Sequence, residues 1–176
     1  MVKGTPEFPE SGGNTSKADL STLEGFSRLS PAQQAMLRML QGPHAEQGLV
    51  NCHLAVFYVE RGASEAGDEG RHKELRDFQL LGYEISQDPT LDALTKQITK
   101  TGFPCIVAPS TVYDEAQPPE PVHTFIAFKN KQGEIVLWEK SGFDGGYQTR
   151  TLPEVYAAYQ TGTDQVFWRT RKLKTR

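Results

Sequence analysis

The apolar residues change their spacing near Phe103, and that change constrains the fold more than any other feature of the chain. Before it they recur three and four apart: Ala35, Met36, Leu37, Met39 and Leu40 in one segment, Leu91, Leu94 and Ile98 in another. That spacing gives a helix one apolar stripe. After it they crowd into short runs at 103–108, 122–129, 134–140 and 165–172, which read as strands. One late segment, 152–160, returns to a helical pattern. Helices first and strands afterwards predict an α+β fold, with N-terminal helices packed on a C-terminal, mainly antiparallel sheet.

Local signals place the helix ends. Ser30-Pro31-Ala32-Gln33 has the form of a capping box with proline at the first helical position, and Gly42-Pro43 stops that helix. The apolar segment 49–59 fits a buried helix or a buried strand. Asn51 as a cap and Arg61-Gly62 as a basic last turn with a glycine stop favour a helix over 52–61. A loop is predicted over 63–71, with helices over 73–81 and 90–101. The latter is capped near Asp88 or Thr90 and ended by Gly102. The first 19 residues are rich in Gly, Pro, Ser and charge, with Val2 and Phe8 almost alone as apolar residues. Such a stretch does not offset its ordering entropy by burial, so residues 1–19 are expected as a disordered leader and 20–176 as one domain. The length of 176 residues suits one core.

The formal charge of −3 excludes an electrostatic case for nucleic acid. The basic cluster Arg169, Arg171, Lys172, Lys174 and Arg176 alternates with Trp168, Thr170 and Leu173, and is expected as a solvated last strand with a frayed tail. Two cysteines make no disulfide framework. No window reaches the roughly 18 apolar residues of a membrane helix, and no signal peptide is visible, which points to the cytoplasm unless a leader was trimmed. The chain has no Walker loop, dinucleotide glycine fingerprint or zincin pair, so no cofactor is expected. Cys52, His53, Cys105 and His123 form no close Cys-x-x-Cys or His-x-x-x-His pair, which leaves a metal-binding domain the weakest reading. Oligomeric state is not readable from the residues.

Three residue types carry the chemistry. Cys52 directly follows the cap Asn51, and a helix N-terminus lowers a thiol's pKa because its unpaired N–H groups favour the anion. Cysteine is also among the most buried residue types, so a core role is the plain alternative, and it is the one expected for Cys105. His123 opens the apolar run 122–128, on rigid backbone at a strand mouth. The turn Asn130-Lys131-Gln132-Gly133 resembles a three-residue hairpin closed by a left-handed glycine bulge. In that register Phe125 faces Glu139, and His123, Phe125 and Glu139 share one sheet face with Glu139 diagonal to His123. A carboxylate there orients an imidazole and stabilises its charged form. A two- or four-residue turn would put Glu139 on the other face and remove it from the site, making Asp144 or Gln148 the next candidate. His53 stands about 100° around the helix from Cys52 and is expected to pack or face solvent. The long segment 109–121 and the glycines Gly142, Gly145 and Gly146 are candidate cleft walls.

Asn51-Cys52-His53 at a helix start, then the run from His123 to Phe128, then Ile135-Val136-Leu137-Trp138-Glu139, resembles the Cys–His–polar order of papain-like cysteine peptidases. It is most similar to the compact bacterial branch that cuts cell-wall peptides. The likeness spans residues 48–142. It implies a papain-like fold, with Cys52 as nucleophile, His123 as base and Glu139 as third member. The backbone N–H of Cys52 is the favoured donor to the oxyanion, with Gln47 a further candidate. The expected activity is a cysteine hydrolase or acyl transferase acting on an amide or peptide bond through a thioester, with a peptide or amide, a cell-wall peptide or a protein among the substrates. The alternative is a non-catalytic interaction domain on the same fold, with Cys52 simply core.

Overall fold

A computed structural model of the chain describes residues 20–42, 50–63, 69–112, 115–141, 145–162 and 164–175, with backbone alone at 69–72. The expected leader and Gln47 lie outside the described residues. Ser30 Oγ accepts from the Gln33 backbone N–H, and Gln33 Oε1 accepts from the Ser30 N–H. This reciprocal cap, with Pro31 next, starts α1 (Pro31–Leu40). The ambiguous segment is a helix. Asn51 Oδ1 accepts from the Leu54 N–H at 2.8 Å to open α2 (Cys52–Arg61), and Gly62, at φ 73°, closes it in the left-handed conformation that glycine adopts without strain.

The remaining helices are α3 (Glu69–Leu80), α4 (Leu91–Thr101) and α5 (Leu152–Gln160). Thr90, not Asp88, caps α4, its Oγ1 accepting from the Ala93 N–H. Helix α3 begins four residues before the expected position, so Gly70 is helical and the preceding loop shorter. The strands are β1 (Glu84–Gln87), β2 (Cys105–Thr111), β3 (Glu120–Pro121), β4 (Phe125–Lys129), β5 (Ile135–Lys140), β6 (Tyr147–Thr151) and β7 (Phe167–Lys172). They form one seven-stranded sheet in the order β1-β7-β2-β4-β5-β6, with β3 on the end of β2 and every pairing antiparallel. The architecture is α+β, N-terminal helices followed by a mainly antiparallel sheet with helices packed on it.

Three strands were not expected from the sequence. Strands β1 and β6 lie at the sheet edges, β1 largely exposed and β6 half-buried, so neither carries the apolar alternation that marks a buried strand. Strand β3 has two residues. The hairpin, by contrast, closes as its turn residues dictate. Asn130 N donates to Glu134 O, Gly133 has φ 81°, and Ile126 stands opposite Trp138.

Alternation along the strands divides the core into two layers. Ile106, Ile126, Phe128 and Trp138 meet α1, α2 and α3 on one face. Val107, Phe125, Ala127, Leu137 and Trp168 meet α4 and α5 on the other. The expected solvated last strand is corrected here. Strand β7 lies inside the sheet between β1 and β2, and Arg169 and Arg171 are buried on the face that carries Ile106, while Lys172 and Lys174 are exposed. Arg171 Nη1 and Nη2 donate to the two oxygens of Glu60 at 2.6 and 2.9 Å, and Arg169 donates to the carbonyls of Gln79 and Pro119. Carboxylate, carbonyl and aromatic partners from other elements, Tyr83 and Phe78 among them, let guanidinium groups sit where a sequence pattern reads solvent.

Candidate active site

Cys52 is the first residue of α2, held there by the Asn51 cap and rooted by Ala55, Val56 and Val59, all fully buried. Its own side chain is buried. His123 stands just before β4, where it is buried with its ring 4.5 Å from that of Phe125. Glu139, fully buried on β5, approaches from the diagonal position: its Oε2 lies 3.1 Å from His123 Nε2. The other carboxylate oxygen, Oε1, accepts from Gln148 Nε2 at 2.6 Å, and Gln148 stands opposite Glu139 across the β5–β6 pair. Both carboxylate oxygens are therefore held. With Nε2 turned to Glu139, Nδ1 is the nitrogen of His123 left for the Cys52 thiol, with which the ring interacts.

These contacts set the charges. Burial alone would keep the Cys52 thiol protonated; hydrogen-bonding by the neighbouring His123 and His53, then the charge of the His123 ring, outweigh it and bring the thiol down to about 5. The open N–H groups of the first turn act in the same direction. Burial likewise opposes a charge on His123, but its bonds to Cys52 and Glu139 and their negative charges reverse that and raise it to about 9. Both shifts favour a thiolate beside an imidazolium, the form in which a cysteine can act as a nucleophile. Cys105 shows the contrast: fully buried and with no charged neighbour acting on it, its thiol is pushed up to about 12. Both cysteines are free, and Cys105 is core as expected.

Tyr159 of α5 borders the same site. Burial, then the negative charges of Glu139 and Cys52, hold its phenol well above the ordinary value, with Arg150 opposing, so it stays a neutral hydroxyl there. Among the described residues no three His, Cys, Asp or Glu side chains are grouped to hold a metal ion.

Cys52, His123 and Glu139 come together. Gln47, Gly142 and Asp144 fall outside the described residues, and Gly145 O accepts from Lys140 Nζ. His53 packs, one of its two expected places: it is half-buried and its Nδ1 lies 2.7 Å from Thr124 Oγ1, and beyond that expectation it acts on the Cys52 thiol, favouring the anion. Adjacent helical residues do point 100° apart at Cα, but their side chains lean toward the helix N-terminus. A long ring at the second position of α2 thus covers the first, and Thr124 receives it from the strand side. Sequence reasoning also missed Thr124 as a partner and Gln148 as the second hold on Glu139. Gln148 lies on β6, whose polar sequence carried no strand signal. No family model, curated protein or solved structure matches this chain.

Proposed function

We propose that the chain is a cysteine hydrolase or acyl transferase acting on an amide or peptide bond. One observation carries this reading: Cys52, at a capped helix start, is paired with a buried histidine whose Nε2 is held by a doubly anchored carboxylate. The Cys52 thiolate attacks the carbonyl carbon, forming the S–C bond and moving the C=O π pair onto oxygen. Collapse of that oxyanion breaks the C–N bond, and His123 gives its proton to the leaving amine. Neutral His123 then takes a proton from water, or from an acceptor amine, as it attacks the thioester. Glu139 keeps the imidazole turned and stabilises its charged form, and Gln148 keeps the carboxylate turned. The order of these residues along the chain resembles that of papain-like peptidases, which supports an amide substrate.

A generic acyl donor tests the mechanism without knowledge of the natural substrate. With p-nitrophenyl acetate the wild-type chain is expected to release a burst of nitrophenol and carry an acetyl group on Cys52, located by peptide mass mapping. Cys52→Ser loses that adduct. His123→Ala lowers the acylation rate by roughly 10²-fold or more, and Glu139→Gln by less. Thermal melts of each variant separate lost chemistry from lost fold. A wild-type chain that is never acylated on Cys52 would leave the interaction-domain reading in its place.

A further inference from the structure

Two histidines act on the Cys52 thiol, its chain neighbour His53 and the buried His123, and the mechanism above uses one of them. Their outer partners differ in kind. His123 turns its far nitrogen to a carboxylate, which favours a ring protonated on both nitrogens. His53 turns Nδ1 to the Thr124 hydroxyl at 2.7 Å, and Thr124 is 1 % exposed, so water does not compete for that hydroxyl. A hydroxyl has a proton to give, and an imidazole that accepts it at Nδ1 carries its own proton on Nε2. With Nδ1 taken by Thr124, Nε2–H is the group left to face the sulfur.

We propose that His53 is a catalytic residue of this site, donating from Nε2–H to the oxyanion formed when Cys52 attacks a carbonyl, with Thr124 holding the ring in the tautomer that makes this possible. The proposal rests on the acyl-transfer reading of Cys52. In the resting site the N–H faces the thiolate. As the S–C bond forms, the negative charge leaves sulfur for the carbonyl oxygen, two bonds away. A donor already beside the sulfur then meets the new charge with little reorganisation, and the Cys52 backbone N–H at the open start of α2 supplies a second donor. His53 transfers no proton in this step. The oxyanion collapses, the bond to the leaving group breaks, and the proton for the leaving group comes from His123.

Two reagents distinguish this role from a general effect on the thiol. Attack on p-nitrophenyl acetate passes through an oxyanion, whereas alkylation by iodoacetamide displaces iodide at a saturated carbon and forms none. The acetylation rate of Cys52 divided by its alkylation rate in the same variant cancels any change in thiolate content. The ratio is expected to fall by about 10²-fold in His53→Ala and by a smaller factor in Thr124→Val, which loses only the hold on the tautomer. His53→Phe keeps the ring volume without the donor and is expected to match His53→Ala even if the smaller side chain loosens the fold. His53→Gln restores an N–H donor and part of the ratio. An unchanged ratio in His53→Ala or His53→Phe, with wild-type acetylation intact, would overturn the role of His53 alone. A wild-type chain that is alkylated but never acetylated at Cys52 would overturn the acyl-transfer reading and this proposal with it.

Discussion

Cys52 and Cys105 start from the same side chain and a similar degree of burial, yet their thiols end at about 5 and about 12. Burial pushes both upward, and only Cys52 has imidazole partners to reverse it. Iodoacetamide at pH 6 is therefore expected to label Cys52 in the folded chain while Cys105 reacts only on unfolding; equal, slow labelling of both would show that the thiol of Cys52 is not activated. His123→Ala should move the rise of the alkylation rate to higher pH, because the first hydrogen bond favouring the thiolate is gone. For His123 itself the sign follows from Glu139: the carboxylate favours the charged ring, so Glu139→Gln must lower its pKa from about 9. The imidazole C–H resonance, titrated by proton NMR, reads this directly. A titration midpoint that stays in place or rises would mean that Glu139 does not act electrostatically on the ring.

At the scale of elements, the contact between His123 and Glu139 depends on one turn. Gly133 at φ 81° closes a three-residue loop, and the resulting register puts Ile126 opposite Trp138 and Glu139 diagonal to His123. An added Cβ on Gly133 would have room, its nearest neighbour being Lys129 Cε at 3.8 Å, so the cost of a side chain is backbone strain. Gly133→Ala is expected to lower stability by about 1–2 kcal/mol, read by urea unfolding. Gly133→Asn should lose less, since asparagine tolerates this conformation. The alkylation profile of Cys52 should be unchanged in both, because the apolar faces of β4 and β5 hold the register once the chain is folded. A Gly133→Ala chain as stable as wild type would remove the left-handed turn from this account.

Across the whole molecule, the helix that carries the thiol is tied to the sheet at its far end. Glu60, on the last turn of α2, receives two bonds from Arg171 of β7 and a third from the Lys174 backbone N–H. Gln33 of α1 adds a bond to the Glu60 carbonyl and another to that of Lys174. Removing one partner leaves a charge with no counterpart in a dry interior. Arg171→Met is expected to destabilise by roughly 3–5 kcal/mol, measured by urea unfolding, whereas Glu60→Leu combined with Arg171→Met should recover most of that loss. A single variant within about 1 kcal/mol of wild type would show that the pair contributes no more than a surface ion pair.

What the sequence alone determined is what neighbours along the chain decide. Ser30, Asn51 and Thr90 cap the helices that follow because each cap is a bond to an N–H three residues on. The Asn130–Gly133 turn sets the β4–β5 register within a few residues, which made Glu139 readable as the partner of His123. The tertiary structure alone decided the rest. Edge strands β1 and β6 exist because neighbours offer them ladders of hydrogen bonds, since their own side chains bury too little to announce a strand. Arg171 is interior because Glu60 arrives from elsewhere to take its two Nη groups, and Arg169 because Gln79 and Pro119 accept from its own two. His53 has a fixed ring nitrogen because Thr124, 71 positions away, meets its Nδ1. Local signals are short-range hydrogen bonds and backbone strain, which the adjacent residues spell out; the fate of a polar side chain depends on which distant group folding brings within bonding distance.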